Sequence, residues 1–186
     1  SNTPTSPTGD ALARLVEHLQ ANLVAFDIGR SDWEYMLNTF VWGANIGYRF
    51  RDTEIGGTNG NFLGIGADWC VMPLLVENTQ GPGLLITNGE FVGSPLCDAV
   101  VRVLPSNTGT LQLSNCSFWG PHNAIVDAEG SGIVSLSQCN FYQWGRDPGV
   151  TAINIRSGSL MMQGCSFGLS KPHLYLAEPV ASAVVI

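Results

Sequence analysis

Charge is scarce in this chain. Asp, Glu, Lys and Arg make up 12% of 186 residues, with eight Lys plus Arg against fifteen acids and a formal charge of −7. Neutralising phosphates takes a basic footprint, so this balance argues against nucleic acid as a partner. It also disfavours a polyanionic glycan such as pectate, unless bound calcium bridges the charges. No run approaches the roughly 18 apolar residues of a membrane span, so no membrane crossing is expected. Ser1-Asn2-Thr3-Pro4 is polar, and no signal peptide is expected at this start. The five cysteines show no Cys-x-x-Cys or Cys/His spacing, so no metal centre is expected. What is plentiful is glycine, 22 residues, within a chain that is 45% hydrophobic. That suits buried strands joined by tight turns.

One short pattern returns along the chain. It runs Leu84-Leu85-Ile86-Thr87-Asn88-Gly89-Glu90-Phe91, Leu111-Gln112-Leu113-Ser114-Asn115-Cys116-Ser117-Phe118, Val134-Ser135-Leu136-Ser137-Gln138-Cys139-Asn140-Phe141 and Leu160-Met161-Met162-Gln163-Gly164-Cys165-Ser166-Phe167. A looser copy is Glu34-Tyr35-Met36-Leu37-Asn38-Thr39-Phe40-Val41. The four strong copies start 27, 23 and 26 residues apart, the period of stacked coils. Alternation with period two is a strand with one buried face. Asn and Gly enter the left-handed backbone region most cheaply. Each copy therefore reads as two strands meeting at a one-residue corner, with Gln138 the weakest corner residue.

After the corner, Cys116, Cys139 and Cys165 share one inward position and read as small buried hydrophobes. Phe91, Phe118, Phe141 and Phe167 share the next. Cys70 and Cys97 lie one coil apart, and a disulfide between them stays open. A third apolar segment sits between the copies, at 99–103, 124–128 and 151–155, with 183–186 as its last instance. Three short strands per coil make a parallel β-helix.

These repeats, strong over 84–186 and weaker over 23–83, resemble the right-handed parallel β-helix of the pectate-lyase-like superfamily. The resemblance implies an all-β solenoid of about six coils. It also implies a place among polysaccharide lyases, glycoside hydrolases, epimerases, tailspikes and adhesins. None of that superfamily's catalytic signatures matches this sequence residue by residue.

Two parts precede or make up the solenoid. Residues 1–22 form a disordered start and an amphipathic helix, with Asp10 as N-cap and Leu12, Leu15, Val16 and Leu19 on one face. This helix would lie over the first coil or bridge from upstream. Residues 23–186 form the β-helix. Between 52 and 72 the corner falls at Gly64 or Gly66, and the two registers bury different side chains. Ala183-Val184-Val185-Ile186 carries no charge to blunt an open edge. The expectation is a longer solenoid, a homotrimer or a second chain covering that end.

The outward positions of the third segment read Arg49 or Arg51, Glu77, Arg102, Asp127, then Asn154 or Arg156. This row is an ion-pair ladder or a glycan-binding strip with carboxylates for acid/base work. Glu77 and Asp127, two coils apart, would have backbones about 9.6 Å apart in an ideal stack, a spacing compatible with inverting hydrolysis. On that reading Asp127→Asn abolishes turnover with the fold intact. Asp98 and His122 are further catalytic candidates on adjacent loops. Trp42, Trp119, Trp144 and Tyr142 gather near one edge, as sugar-stacking platforms or as covers for the Phe ladder. Loops of varying length at 92–98, 119–123, 142–150 and 168–180 are where a site would be built.

The composition and the resemblance together lead to a carbohydrate-active protein, extracellular or periplasmic, acting on a polysaccharide. Hydrolysis is favoured and no cofactor is expected. A lyase would use Arg102 or Arg156 as base, with calcium possible. The competing class is a non-catalytic, glycan-binding β-helix of tailspike or adhesin type.

Overall fold

A computed structural model describes residues 8–186; residues 1–7, most of the expected disordered start, lie outside it. Helix α1 spans Asp10–Asn22, and all that follows is wound into a parallel β-solenoid of about six turns with three sheets of seven, seven and six strands. Face 1 stacks Val24–Ile28, Ile46–Phe50, Met72–Val76, Ala99–Val103, Ala124–Ala128, Ile153–Ile155 and Leu174–Leu176. Face 2 stacks Glu34–Leu37, Thr58–Leu63, Thr79–Thr87, Thr110–Ser114, Ile133–Ser137, Gly158–Gln163 and Val180–Val185. Face 3 stacks Phe40–Trp42, Gly66–Cys70, Glu90–Gly93, Ser117–Trp119, Asn140–Phe141 and Ser166–Phe167.

The corner between faces 2 and 3 is set by one left-handed residue per turn. Asn38, Gly64, Asn88, Asn115, Gln138 and Gly164 have φ of 50°, 65°, 58°, 52°, 53° and 61°. Gly64 is thus the corner of the second turn, and Gly66 opens the face 3 strand after it. Asn115 Nδ2 donates to Asn88 Oδ1 at 2.7 Å, so neighbouring corners are tied across turns.

Inside, like side chains lie over like. Val41, Ala67, Phe91, Phe118, Phe141 and Phe167 occupy one register position, and the four Phe rings stack at 5.5, 5.4 and 5.0 Å. Such pairs add about 0.5–1.5 kcal/mol each beyond area burial. The three ladder thiols follow the same rule. Cys139 and Cys165 donate to the Leu113 and Leu136 carbonyls of the preceding turn at 3.3 and 3.5 Å. All five cysteines are free thiols, Cys70 and Cys97 included.

Two expectations are corrected at the ends. The strand over 183–186 belongs to face 2, where Leu160 and Met162 pair with Ala183 and Val185. The last face 1 strand is Leu174-Tyr175-Leu176, three residues between Pro172 and Pro179 and too short to show a period. Helix α1 has Gly9, not Asp10, at its N-cap, and none of its residues is buried. It does not lie over the first turn. Only its last turn docks, through Gln20 Nε2 to the Trp69 carbonyl at 3.0 Å and the Asn45 amide to the Leu19 carbonyl at 3.0 Å.

Gln138 is the one corner residue that is neither Asn nor Gly. Gln138→Gly is expected to raise stability by up to about 1 kcal/mol by relieving the left-handed backbone cost, read as a higher urea midpoint with unchanged slope.

Candidate functional site

Face 1 carries the expected row, in a different register. The aligned outward positions are Asp27, Arg49, Leu75, Arg102, Asp127, Asn154 and Tyr175. Leu75 stands where Glu77 was placed. Glu77 lies two residues further along, so its backbone sits about 12 Å from that of Asp127, two 4.8 Å steps and two residues away.

Both carboxylates are also taken. Asp127 is 6% exposed; its Oδ2 is bound by Arg102 and its Oδ1 by Arg156 Nε at 2.8 Å. Arg102 also reaches Glu129 at 2.5 Å. Glu77 Oε1 accepts from Arg49 Nε at 2.7 Å, and its Oε2 from the Asp52 amide at 3.1 Å. Each oxygen of Asp127 thus meets a guanidinium group. The row ties turn to turn, and Arg102 and Arg156 belong to that tie. Asp127→Asn is therefore expected to cost about 1–3 kcal/mol of stability by leaving two arginines short of their partner, measured by denaturant unfolding.

The aromatic residues divide in two. Trp144 is 1% exposed, packs edge-on to Phe167 at 5.8 Å and donates its Nε1 to the Pro172 carbonyl at 3.2 Å. It covers the Phe ladder. Trp42, Trp119 and Tyr142 are 44%, 37% and 63% exposed. All three occupy the outward column of face 3 that follows the Val41-to-Phe167 ladder.

Face 3 also holds two residues that sequence reasoning missed. Asp68 pairs with Trp42 in the adjacent turn, and Glu90 pairs with Gly66. Both point outward, because Ala67 and Phe91 beside them point in. Their backbones are offset by one turn and two residues, about 8 Å. Among the described residues, neither carboxylate makes an ion pair. Burial raises Asp68, against the lowering effect of the Trp69 backbone, and burial plus the charge of Asp68 raises Glu90. Phe40, 57% exposed, lies with its ring across Gly66. The strand is bulged between Ala67 and Cys70, and Trp69 there has a φ of 56°. A bulky residue held in that region stores strain, and such strain gathers at functional sites.

The loops after face 3 bring His122, Tyr142 and Trp144 to one cleft of about 420 Å³, with Arg146, Leu169 and Lys171. Asp98 stays outside its lining, with its side chain 83% exposed and 3.4 Å from Arg146. His122 is fully buried and neither ring nitrogen is hydrogen-bonded. Burial lowers it to about 4, against a raising influence of nearby backbone at Gln143 and Trp119. Among the described residues, no group of three His, Cys, Asp or Glu side chains is placed to hold a metal ion. No helix there is long and apolar enough to cross a membrane.

The chain matches no known family, no curated protein and no solved structure.

His122 makes the fold sensitive to acid. Its folded value lies below the ordinary 6.5, so the unfolded chain binds the extra proton between about pH 6.5 and 4. Stability is complete above that window and falls through it as pH drops. His122→Leu is expected to remove about 3 kcal/mol of that decline, read from urea midpoints of both chains at pH 7 and pH 4.

Proposed function

We propose that this is a carbohydrate-active β-helix that hydrolyses a polysaccharide laid along face 3. The observation that carries the reading is the free, partly buried pair Asp68 and Glu90 set within a column of exposed aromatic rings. Sugar rings stack on such side chains, and Phe40 and Trp42 lie on one side of the pair, Trp119 and Tyr142 on the other. The right-handed winding and the pectate-lyase-like kinship implied by the repeats belong to the same proposal, as does an extracellular or periplasmic location.

The pair divides its work by environment. Glu90, raised by burial and by the charge of Asp68, takes the acid role. It gives its proton to the glycosidic oxygen as the bond to the anomeric carbon breaks. Asp68 takes a proton from a water, whose oxygen forms the new bond to that carbon from the opposite side. With water as the attacking group and no covalent intermediate, inversion is the expected outcome.

Asp68→Asn and Glu90→Gln are each expected to lower release of reducing ends at least a hundredfold, the scale of a lost general acid or base, with circular dichroism unchanged. Glu77→Gln retains turnover. Full activity in either face 3 variant removes that residue from the reaction. Unsaturated product in place of reducing ends alone would make the enzyme a lyase.

One observation favours a second reading, a non-catalytic glycan-binding β-helix that assembles with copies of itself. Across its seven strands, face 2 contains one charged residue, Glu34. Tyr35, Leu37, Leu63, Met161 and Val184 stand exposed there. A face with so little charge loses little ionic hydration on contact and brings few like charges together between copies. On this reading light scattering gives a trimer that Leu63→Lys dissociates, and no glycan is turned over.

A further inference from the structure

The loop cleft differs from the rest of this acidic surface. Its lining contains Arg146 and Lys171 but no Asp or Glu. The charge of Arg146 is already balanced, since the guanidinium meets Asp98 at 3.4 Å and Asp147 at 3.0 Å. Lys171, the sole lysine of the sequence, makes no ion pair among the described residues.

Its position is nonetheless fixed. The Nζ donates to the carbonyls of Trp144 and Gly145 at 3.0 and 2.9 Å. An ammonium has three donors, so one is left over. The stem lies across Gly145, where an added Cβ would meet it at 3.4 Å and where φ is 70°. Tyr142, an exposed ring of the face 3 column, also lines the cleft. The inner wall is His122, fully buried with both ring nitrogens unpaired. The volume of about 420 Å³ lies within the range of small-ligand sites.

We infer that this cleft is a subsite for a sugar bearing an anionic group, a carboxylate or a sulfate, whose ring rests on Tyr142 and whose charge meets Lys171. The inference rests on the reading of face 3 as a glycan track, to which the cleft adds an acidic end or branch. It differs from a polyanion site because one unpaired cation accepts one charge.

The test titrates the full chain with methyl glucuronide, methyl glucoside 6-sulfate and methyl glucoside, followed by calorimetry. At least one charged sugar is expected to bind ten times more tightly than the neutral one, and the two charged sugars separate carboxylate from sulfate. Lys171→Gln erases the difference, while Lys171→Arg keeps most of it. Equal binding of all three sugars overturns the inference, as does a charge preference that survives Lys171→Gln. If Lys171→Gln fails to fold, Tyr142→Ala takes its place at an exposed position, and tenfold weaker binding of the preferred sugar is required. Asp68→Asn and Glu90→Gln leave the preference intact. Loss of turnover with retained charge preference, and the reverse, therefore report on different proposals.

Discussion

A backbone turn that only a few residue types take without strain governs this structure. Once per coil the chain enters the left-handed region, at Asn38, Gly64, Asn88, Asn115, Gln138 and Gly164. The corner fixes where face 2 ends and face 3 begins. With side chains alternating along each strand, that decides which residues turn inward for the whole coil. Because each corner lies over the last, identical inward positions coincide, and the Phe and Cys ladders follow. The core is a consequence of register, and register is a consequence of the corner.

The same geometry sorts charge onto separate walls. On face 1, Arg49, Arg51, Arg102 and Arg156 bind acidic residues of neighbouring turns, so the wall is fastened. Face 2 is almost without charge. Face 3 holds two acids without basic neighbours and three exposed aromatic residues in one column. A carboxylate clamped by arginine and a carboxylate left among aromatic rings differ little in sequence. They differ in what the neighbouring turn brings beside them.

The corners were legible because Asn and Gly are few at other points of the pattern, and the Cys and Phe ladders followed from them. The failures trace to register. With the corner at Gly64, Gly64-Ile65-Gly66-Ala67-Asp68 aligns with Asn38-Thr39-Phe40-Val41-Trp42, and Asp68 falls beside Trp42. With the corner left open between Gly64 and Gly66, that pairing was invisible. Glu77 is the first charge after the apolar strand Met72–Val76, yet the residue aligned with Arg102 and Asp127 is Leu75. Trp144 and Trp119 both precede glycine, yet one is buried and one is exposed. The two extra residues after Phe141 carry Trp144 round the corner and over the Phe ladder, a path that spacing alone does not reveal.

The bulge at Trp69 connects these threads. Asp68 and Trp69 together oppose Val92, so the face 3 strand gains a residue there without shifting the inward ladder on either side. A bulge bends its strand and re-aims the side chains at it. Here it falls at Asp68, and the Trp69 carbonyl receives Gln20 from the only docked turn of the helix. The helix, which covers no core, thus holds the one irregular strand segment of face 3. A regular solenoid repeats its outer surface as faithfully as its inner one, so a site needs a local departure from the repeat. The departure at 67–70 places a half-buried acid beside the acid of the next turn, where burial raises both and the charge of Asp68 raises Glu90 further.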